Sequence, residues 1–368
     1  MKPINLTYSL ADQSFRKTKS LGILNVSVHL ANELSRRAEL NRFQVLANDD
    51  LGGLLALAPS TIVTYHNRPV RSKVARILWD QFGVYRAAKA SGASGLFLPK
   101  GFVSFCRKPP VPVAAYVYDV MFDHYRKNYP EFETAFEKHY FWRGFLATLK
   151  HARLIVTLSE NSRFEILRVA REHGLPAPDV KVAGVGFSKS VSPEKPATAE
   201  IVVLTGRVPH KRTDLAVAYM ERWQRETSNT RPVHWVGGFP ENLAMPEFPC
   251  WSRHPRLSEA EFRSLVSRSR VLVYFSEYEG FGMPPVEAAM VSTAPVFSDI
   301  PVMREVMGDA GFPFANHAYE SFRTALDTAL ACPAEVVDGW AVGLVLRHNW
   351  ASVGSRVIEA LQRMPKAV

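Results

Sequence analysis

The chain has 368 residues, of which 47% are hydrophobic and 22% charged; this composition is typical of a globular protein, and the length predicts two domains. No run of 18 or more apolar residues is present, so no membrane span is predicted, and residues 1–5 lack the apolar core of a signal peptide. Cys106, Cys250 and Cys332 lie too far apart for a metal or redox motif, and a reduced cytoplasm is the expected setting.

The positive charge lies in the first half of the chain. Residues 1–200 contain 28 Lys and Arg against 17 Asp and Glu, whereas residues 201–368 contain 17 against 18. This asymmetry indicates that the first half meets an anionic surface, either nucleic acid or the inner face of a membrane, with a simple solubility role as the alternative.

Strands alternate with helical patterns on both sides of a segment rich in Ser, Pro and Lys. The predicted domains are therefore residues 1–187 and 200–347, joined by a linker at 188–199. The expected strands are 44–47, 95–98, 113–117 and 154–158 before the linker, and 201–205, 234–236, 271–275 and 294–297 after it. This alternation predicts an α/β fold with a parallel sheet in each domain, and two such domains meeting at a linker form a ligand-binding cleft.

Residues 276–289 are the most informative segment, because a short Gly-containing loop joins a strand to a helix between Glu279 and Glu287. Pro284 and Pro285 suit the first helical positions. The free N–H groups and dipole of a helix start bind phosphate, and flanking carboxylates accept hydrogen bonds from sugar hydroxyls. The pattern predicts a nucleotide-sugar site, although glycine and glutamate at a helix start also occur for stability alone.

A second segment follows the first strand of the second domain, where Gly206 and Arg207 precede Lys211 and Arg212. Two cations on such a loop can neutralise the charge that develops on a diphosphate leaving group. A solvated basic turn before a helix is the alternative.

These motifs resemble those of the family 4 retaining glycosyltransferases, which have the GT-B architecture of two Rossmann-like domains facing across a cleft. Glu279 and Glu287 match the E-x7-E signature, with 280–282 as Gly-Phe-Gly inside it; residues 206–207 and 211–215 match the diphosphate-binding segment in its mannosyltransferase-like version. Similar matches are found at 298–301, 305–311, 159–162 and 349–350, the last of which begins a helix (348–364) that often packs on the first domain.

The resemblance implies a role for each matched residue. Glu287 would bind the ribose and Glu279 the donor sugar. The backbone N–H groups of Gly282 and Met283 would contact the β-phosphate, and Arg207 and Lys211 would neutralise its charge. The other donor-binding residues would be Gly206, Phe281 and Arg212. The departing phosphate would accept the acceptor's proton, so neither a protein nucleophile nor a metal or other cofactor is expected.

The first domain departs from the family pattern in places. The family's His-Asp at a strand end corresponds here to Tyr118-Asp119, so Asp119 keeps its place as an expected catalytic residue. The histidine's role near the acceptor is open. Tyr118 and His124 are the candidates on the acceptor side, with an ordinary loop histidine as the alternative for His124. The glycine-rich N-terminal loop retains only Gly22, whose backbone would still approach the donor phosphates, before a predicted helix over 25–34. Residues 292–295 are one residue longer than the usual pattern.

A basic amphipathic helix is predicted from Arg68 to Lys89, with six Lys and Arg against the single acid Asp80 and an apolar stripe that includes Val74, Leu78 and Tyr85. Such a helix can lie in an anionic membrane interface, or its stripe can pack on the domain's own sheet. Together with the resemblance, this helix predicts a peripheral cytoplasmic enzyme at the inner face of the plasma membrane. Its acceptor would be a glycan or a polyprenyl-linked glycan. Its donor would be a nucleotide-sugar, with GDP-mannose favoured over UDP-sugars.

Other functions remain open at this stage. A catalytically silent nucleotide-binding relative and a nucleotide-sugar epimerase share the architecture. A nucleic-acid-binding protein is disfavoured, because the sequence has no zinc spacing, no RNA-recognition motif and no helix-turn-helix pattern.

Overall fold

The computed structural model describes residues 4–16, 21–132, 134–187 and 199–364, and divides the chain into two compact units, Met1–Gly186 with His348–Val368 and Phe187–Arg347. The predicted linker 188–199 lies, except for its last residue, outside the described residues.

The first unit is built on a seven-stranded sheet in the order β3-β2-β1-β4-β5-β6-β7, and every neighbouring pair is parallel. Its strands are β1 Ile4–Ser9, β2 Leu40–Ala47, β3 Ile62–Tyr65, β4 Gly95–Leu98, β5 Val113–Tyr116, β6 Leu154–Thr157 and β7 Val180–Val182. Its first helices are α1 Leu21–Leu34, α2 Lys73–Leu78, α3 Val84–Ala90, α4 Met121–Asn128, α5 Ala135–His151 and α6 Glu160–Glu172.

The second unit contains a six-stranded sheet in the order β10-β9-β8-β11-β12-β13, also parallel throughout. Its strands are β8 Ile201–Thr205, β9 Val233–Gly237, β10 Trp251–His254, β11 Val271–Tyr274, β12 Ala294–Ser298 and β13 Phe312–Phe314. Its helices are α7 Thr213–Thr227, α8 Glu259–Arg268, α9 Met283–Met290, α10 Pro301–Met307, α11 Tyr319–Ala331 and α12 Ala334–Arg347. In both sheets the strand order reverses beside the first strand, as in doubly wound nucleotide-binding folds.

The last helix, α13 (Trp350–Arg363), belongs to the first unit and packs on α1. Its Asn349 cap accepts a hydrogen bond from the Ser352 N–H at 2.8 Å, and the ring of Trp350 stacks on His29 with centroids 5.2 Å apart. Gly354 allows the close approach, since a Cβ there would lie 2.7 Å from Glu33 Cγ.

The predicted α/β fold with two parallel sheets is confirmed, and all eight predicted strands are present. β1, β3, β7, β10 and β13 were not predicted. Four of these are edge strands, and edge strands carry a weaker apolar signal than central ones because they are less buried.

Two helix predictions are corrected. α1 begins at Leu21, so Gly22 lies in its first turn and not in a preceding loop. The predicted helix over Arg68–Lys89 begins at Lys73, where Ser72 accepts a hydrogen bond from the Ala75 N–H at 3.1 Å, and a wide π-type turn at Trp79–Gly83 separates α2 from α3.

The wide turn divides the predicted apolar stripe. Tyr85 is fully buried in the core, whereas Val74 and Leu78 are 66% and 55% exposed. The extra residue in the turn rotates the faces of the two helices relative to each other, so a single apolar face does not run along both.

No single helix among the described residues is long and apolar enough to cross a membrane. One pair of helical segments, Tyr319–Ala331 and Ala334–Arg363, has the length and composition of a span when both are taken together, and it is bent by 102°.

Candidate nucleotide-sugar site

The signature loop of the second unit lies at the carboxyl end of its sheet. β11 pairs with β8 on one side and β12 on the other, and the loop from Phe275 to Gly282 leads from β11 into α9. Because all three strands are parallel, the loops that follow them meet at one edge of the sheet. The Ser276 N–H donates to Ser298 Oγ at 2.8 Å and Asn316 Nδ2 donates to the Ser276 carbonyl at 2.9 Å, which fixes the start of the loop.

Glu279 is the centre of this site. Its Oε1 accepts hydrogen bonds from Lys211 Nζ at 2.6 Å, Tyr274 Oη at 2.7 Å and Ser276 Oγ at 2.7 Å, and its side chain is 12% exposed. No described residue donates to Oε2, so this oxygen is available to a ligand hydroxyl.

The electrostatics of the site keep Glu279 ionised. Burial acts to raise its pKa, but the positive charge of Lys211, that of His210 and the hydrogen bonds from Lys211 and Tyr274 outweigh it, and the net pKa is lowered. Burial raises the pKa of Tyr274, and the charge of Glu279 raises it further, so this hydroxyl stays protonated and continues to donate.

Glu287 differs from Glu279 in its environment. It lies in α9, is accessible to solvent, and accepts no hydrogen bond from the described residues. Although it is accessible, the surrounding protein reduces the hydration of its carboxylate and Glu259 adds a second negative charge, and both effects raise its pKa. Its carboxylate is thus free to accept hydrogen bonds from a diol.

Two glycines shape the basic side of the site. A Cβ at Gly206 would lie 2.9 Å from Lys211 Cγ, and one at Gly238 would lie 2.9 Å from Arg207 Cγ. Both basic side chains therefore pass close over backbone where a larger residue would block them. Arg207 is exposed, and its guanidinium forms no ion pair within the described parts of the chain.

Arg212, by contrast, is engaged within the protein. It has a left-handed backbone (φ 42°) at the start of α7, and its guanidinium pairs with Asp214 at 2.9 Å and Glu277 at 3.4 Å. Its predicted donor contact stays a prediction, but its described partners link the basic loop to the signature loop.

The end of the signature loop requires glycine. Gly282 has φ 84°, and a Cβ on it would lie 2.2 Å from Met303 Sδ. Helix α9 begins at Met283, and Pro284 has no N–H. Within the described residues, the N–H groups of Gly282 and Met283 have no bound acceptor. Phe281 is buried against Phe187, with ring centroids 6.0 Å apart, and so anchors the loop.

The residues predicted on the acceptor side all lie in the first unit. Asp119 Oδ1 accepts a hydrogen bond from the Met121 N–H at 2.8 Å, at the start of α4. Tyr118 Oη lies 3.1 Å from Ser27 Oγ and donates to the Ile23 carbonyl at 3.3 Å, so it links the end of β5 to α1 near Gly22. His124 is half-buried in α4, with Nδ1 3.2 Å from Asn128 Nδ2.

A buried carboxylate that the sequence analysis missed holds this helix in place. Asp123 is 1% exposed and pairs with Arg126 at 2.7 Å, Arg168 at 2.8 Å and Lys127 at 3.0 Å. Burial acts to raise its pKa, and the hydrogen bonds from these three cations lower it to about 2. The ionic cluster fixes α4 against α6, and with it the orientation of His124.

Tyr274, Ser276, Ser298 and Asn316 were also missed as contributors to the site. They share one signal, since each lies at or just after the carboxyl end of a neighbouring parallel strand. No group of three or more His, Cys, Asp or Glu side chains in the described ranges is arranged to hold a metal ion.

Known proteins are similar to this chain in sequence and in fold. Residues 254–340 match the family model of glycosyl transferases group 1. The chain is 25% identical over 205 residues to O-antigen chain mannosyltransferase B of Escherichia coli, an alignment that covers 50% of this chain and 52% of that protein. The chain spans about half the length of this relative and less than a fifth of the other curated relatives it matches.

Two solved structures share the whole fold. A sucrose-phosphate synthase from Thermosynechococcus elongatus is similar with a TM-score of 0.71 and 13% identity, over 98% of both chains. An Anabaena protein in complex with UDP-glucose is similar with a TM-score of 0.66 and 12% identity, over 98% of this chain and 99% of that one. At these identities the likeness shows the fold alone.

The glycine at 282 provides a test of the loop geometry. We expect Gly282→Ala to lower the free energy of unfolding by about 2 kcal/mol, because the new methyl group meets Met303 and the left-handed backbone disfavours alanine. Urea denaturation measures this change. Gly343→Ala in α12 is the matched control, since a Cβ there has no atom within 4 Å; equal effects of the two substitutions would contradict the geometry.

Proposed function

We propose that this chain transfers a sugar, with retention of anomeric configuration, from a nucleotide diphosphate to a glycan acceptor. The match of residues 254–340 to the model of group 1 glycosyl transferases and the GT-B fold support this proposal. The observation that carries the proposal is the ionised Glu279 bound by Lys211. The loops at the same edge of the sheet carry Arg207, which has no ion pair among the described residues, and an accessible Glu287 follows in α9. One end of this site attracts an anion and the other accepts hydrogen bonds.

The donor has a complementary distribution of charge and hydroxyls. Arg207, Lys211 and the N–H groups of Gly282 and Met283 bind the diphosphate, as cations and helix-start amides do. Glu287 accepts hydrogen bonds from the ribose hydroxyls. Glu279 accepts one from the donor sugar through Oε2 while Oε1 keeps its three protein donors.

The chemistry then needs stabilisation of the leaving group. As the bond between the anomeric carbon and the phosphate oxygen breaks, negative charge grows on the diphosphate, and Arg207 and Lys211 neutralise it. The acceptor hydroxyl attacks from the face that the diphosphate leaves, and its proton passes to the departing phosphate oxygen. Glu279 has a lowered pKa and stays ionised, so it binds the sugar and supplies no proton.

The first unit supplies the acceptor side of this proposal. Asp119 and Tyr118 follow β5, and His124 lies one turn into the helix that Asp119 begins. These polar groups follow the carboxyl end of a parallel strand, the edge at which open α/β sheets bind ligands.

GDP-mannose is the favoured donor in the proposal, with a role in cell-surface polysaccharide synthesis. The name of the E. coli relative, an O-antigen chain mannosyltransferase, supports mannose, and the Anabaena complex keeps UDP-sugars as the second candidate. A catalytically silent nucleotide-binding relative is the main competing function, and an epimerase is the next.

Site variants in a transfer assay test the proposal. We expect Glu279→Gln and Arg207→Gln each to lower kcat by about 10²- to 10³-fold, as the loss of one transition-state contact does. Glu287→Gln should mainly raise KM for the donor, because it removes a contact present before and during the reaction. Radiolabelled donor turnover measures all three.

Arg225→Gln is the matched control, since Arg225 is an exposed arginine of α7 that pairs with Glu221 outside the site. Equal activity of the site variants and the wild type would refute the site. Nucleotide binding without any donor turnover in the wild type would favour the silent relative.

The base of the donor is identified by thermal stability. A bound ligand stabilises by RT ln(1 + [L]/Kd), about 2.7 kcal/mol at a hundredfold excess over Kd. We expect GDP and GDP-mannose at millimolar concentration to raise Tm more than UDP, TDP or their sugars. A larger shift with UDP-sugars would move the donor assignment to them.

Peripheral binding to an anionic membrane surface is the last part of the proposal. Arg71, Lys73 and Val74 are exposed at the start of α2, so two cations flank an apolar side chain. We expect the full chain to sediment with anionic vesicles at low salt. The double variant Arg71→Gln/Lys73→Gln should bind them roughly 30-fold more weakly, from about 1 kcal/mol per charge. Sedimentation that neither salt nor the substitutions reduce would contradict this part.

A further inference from the structure

A groove in the first unit has no role in the donor chemistry. It has a volume of about 570 Å³ and lies between the carboxyl end of β3 and the helical segment α2–α3. Its walls include Tyr65, His66, Arg68, Leu78, Phe82 and Arg86.

The groove is apolar and open to a ligand. Tyr65 and Leu78, on opposite walls, are 54% and 55% exposed, and Phe82 lies half-buried between the helices. Exposed apolar side chains that line one concave surface mark a binding site more often than scattered ones do.

The floor of the groove depends on the wide turn. The ring of Trp79 occupies the space beside Gly83, where a Cβ would lie 2.6 Å from Trp79 Cε3, and it contacts the ring of His66 with centroids 4.7 Å apart. Two buried polar atoms at this contact, His66 Nε2 and Trp79 Nε1, have no hydrogen-bond partner within the described residues. Burial lowers the pKa of His66, so its ring is neutral at neutral pH. Wide turns of this kind occur often at functional sites.

The charge of the groove is positive. Arg68 and Arg86 are exposed and form no ion pair with any described residue, and the groove walls carry no Asp or Glu. A ligand that fits this surface combines an apolar chain with an anionic group. The exposed surface of the groove is mostly apolar, which favours a hydrocarbon chain over a free sugar.

We propose that this groove binds the chain of a prenyl phosphate, the lipid to which the acceptor glycan is attached, with its phosphate on Arg68 and Arg86. This inference rests on the proposed glycosyl transfer and adds the lipid part of the acceptor to it. The chain lies over Leu78 and Phe82 in a concave groove of about 570 Å³. This shape fits one hydrocarbon chain, whereas a bilayer presents a broad, flat surface.

Geranylgeranyl diphosphate is the probe that tests the groove, titrated into the full-length chain by calorimetry. We expect micromolar binding, with inorganic diphosphate and geranylgeraniol each at least a hundredfold weaker, because each has only one of the two features. Leu78→Asn and Arg86→Gln should each weaken binding at least tenfold. Lys89→Gln, on the same helix but outside the groove, should leave it unchanged.

The donor site could also bind a diphosphate, so Arg207→Gln is a second control. It should remove any binding of the probe at the donor site and keep the binding that Leu78→Asn weakens. Binding that is lost in Arg207→Gln but kept in Leu78→Asn would overturn the inference, as would equal affinity for inorganic diphosphate. Binding to diacyl phospholipid vesicles that Leu78→Asn and Arg86→Gln weaken as much as they weaken binding of the prenyl probe would overturn it in favour of a membrane contact.

The experiments distinguish an error in the groove assignment from an error in the proposed glycosyl transfer. Leu78→Asn and Arg86→Gln should keep wild-type hydrolysis of the sugar donor, since neither residue lies in the donor site. They should lose transfer to a prenyl-linked acceptor at least tenfold and keep transfer to the same glycan without lipid. A wild-type enzyme that transfers sugar but binds no prenyl probe would overturn only the inference.

Discussion

The hydrogen-bonded ion pair between Lys211 and Glu279 is the interaction on which the proposed donor site depends. It joins the loop after β8 to the loop after β11, and Tyr274 and Ser276 complete the coordination of the same carboxylate oxygen. A buried charge left unpaired costs several kcal/mol, so each member of the pair fixes the position of the other. The loops are held in register by this requirement before any ligand binds. The site is therefore largely preorganised, which is how an enzyme avoids reorganisation during the reaction.

Arg207 and Arg212 show how neighbouring arginines divide two tasks. Arg212 has its charge satisfied by Asp214 and Glu277, and it stabilises the loop. Arg207 has no such partner in the described structure and keeps its charge for a ligand. The sequence motif cannot separate these roles, because it contains both residues in one basic run. The separation comes from the left-handed backbone of Arg212, which turns its side chain toward α7 and the signature loop.

Most of the fold was predictable, and so was the loop on which the proposed donor site is centred, because their signals are local. The buried central strands appear in the sequence as continuous apolar runs, and Glu279, Gly282 and Glu287 follow one of them at fixed spacing. Tyr274 and Asn316 were not predictable in the same way, since their roles arise from contacts between separate strand ends. The helix over Arg68–Lys89 was predicted too long and too regular, because periodicity does not reveal the Ser72 cap or the wide turn.

Gly83 has a consequence for how the first unit tolerates change. The indole of Trp79 fills the space that a side chain at position 83 would occupy. Any substitution there would displace the indole and, with it, the contact to His66 at the end of β3. The shape of the surface between β3 and the helices thus depends on the absence of a side chain at position 83. In a relative with a larger residue at this position, the indole would have to lie elsewhere and the surface would differ. The residue type at position 83 therefore predicts from sequence alone which relatives share this surface.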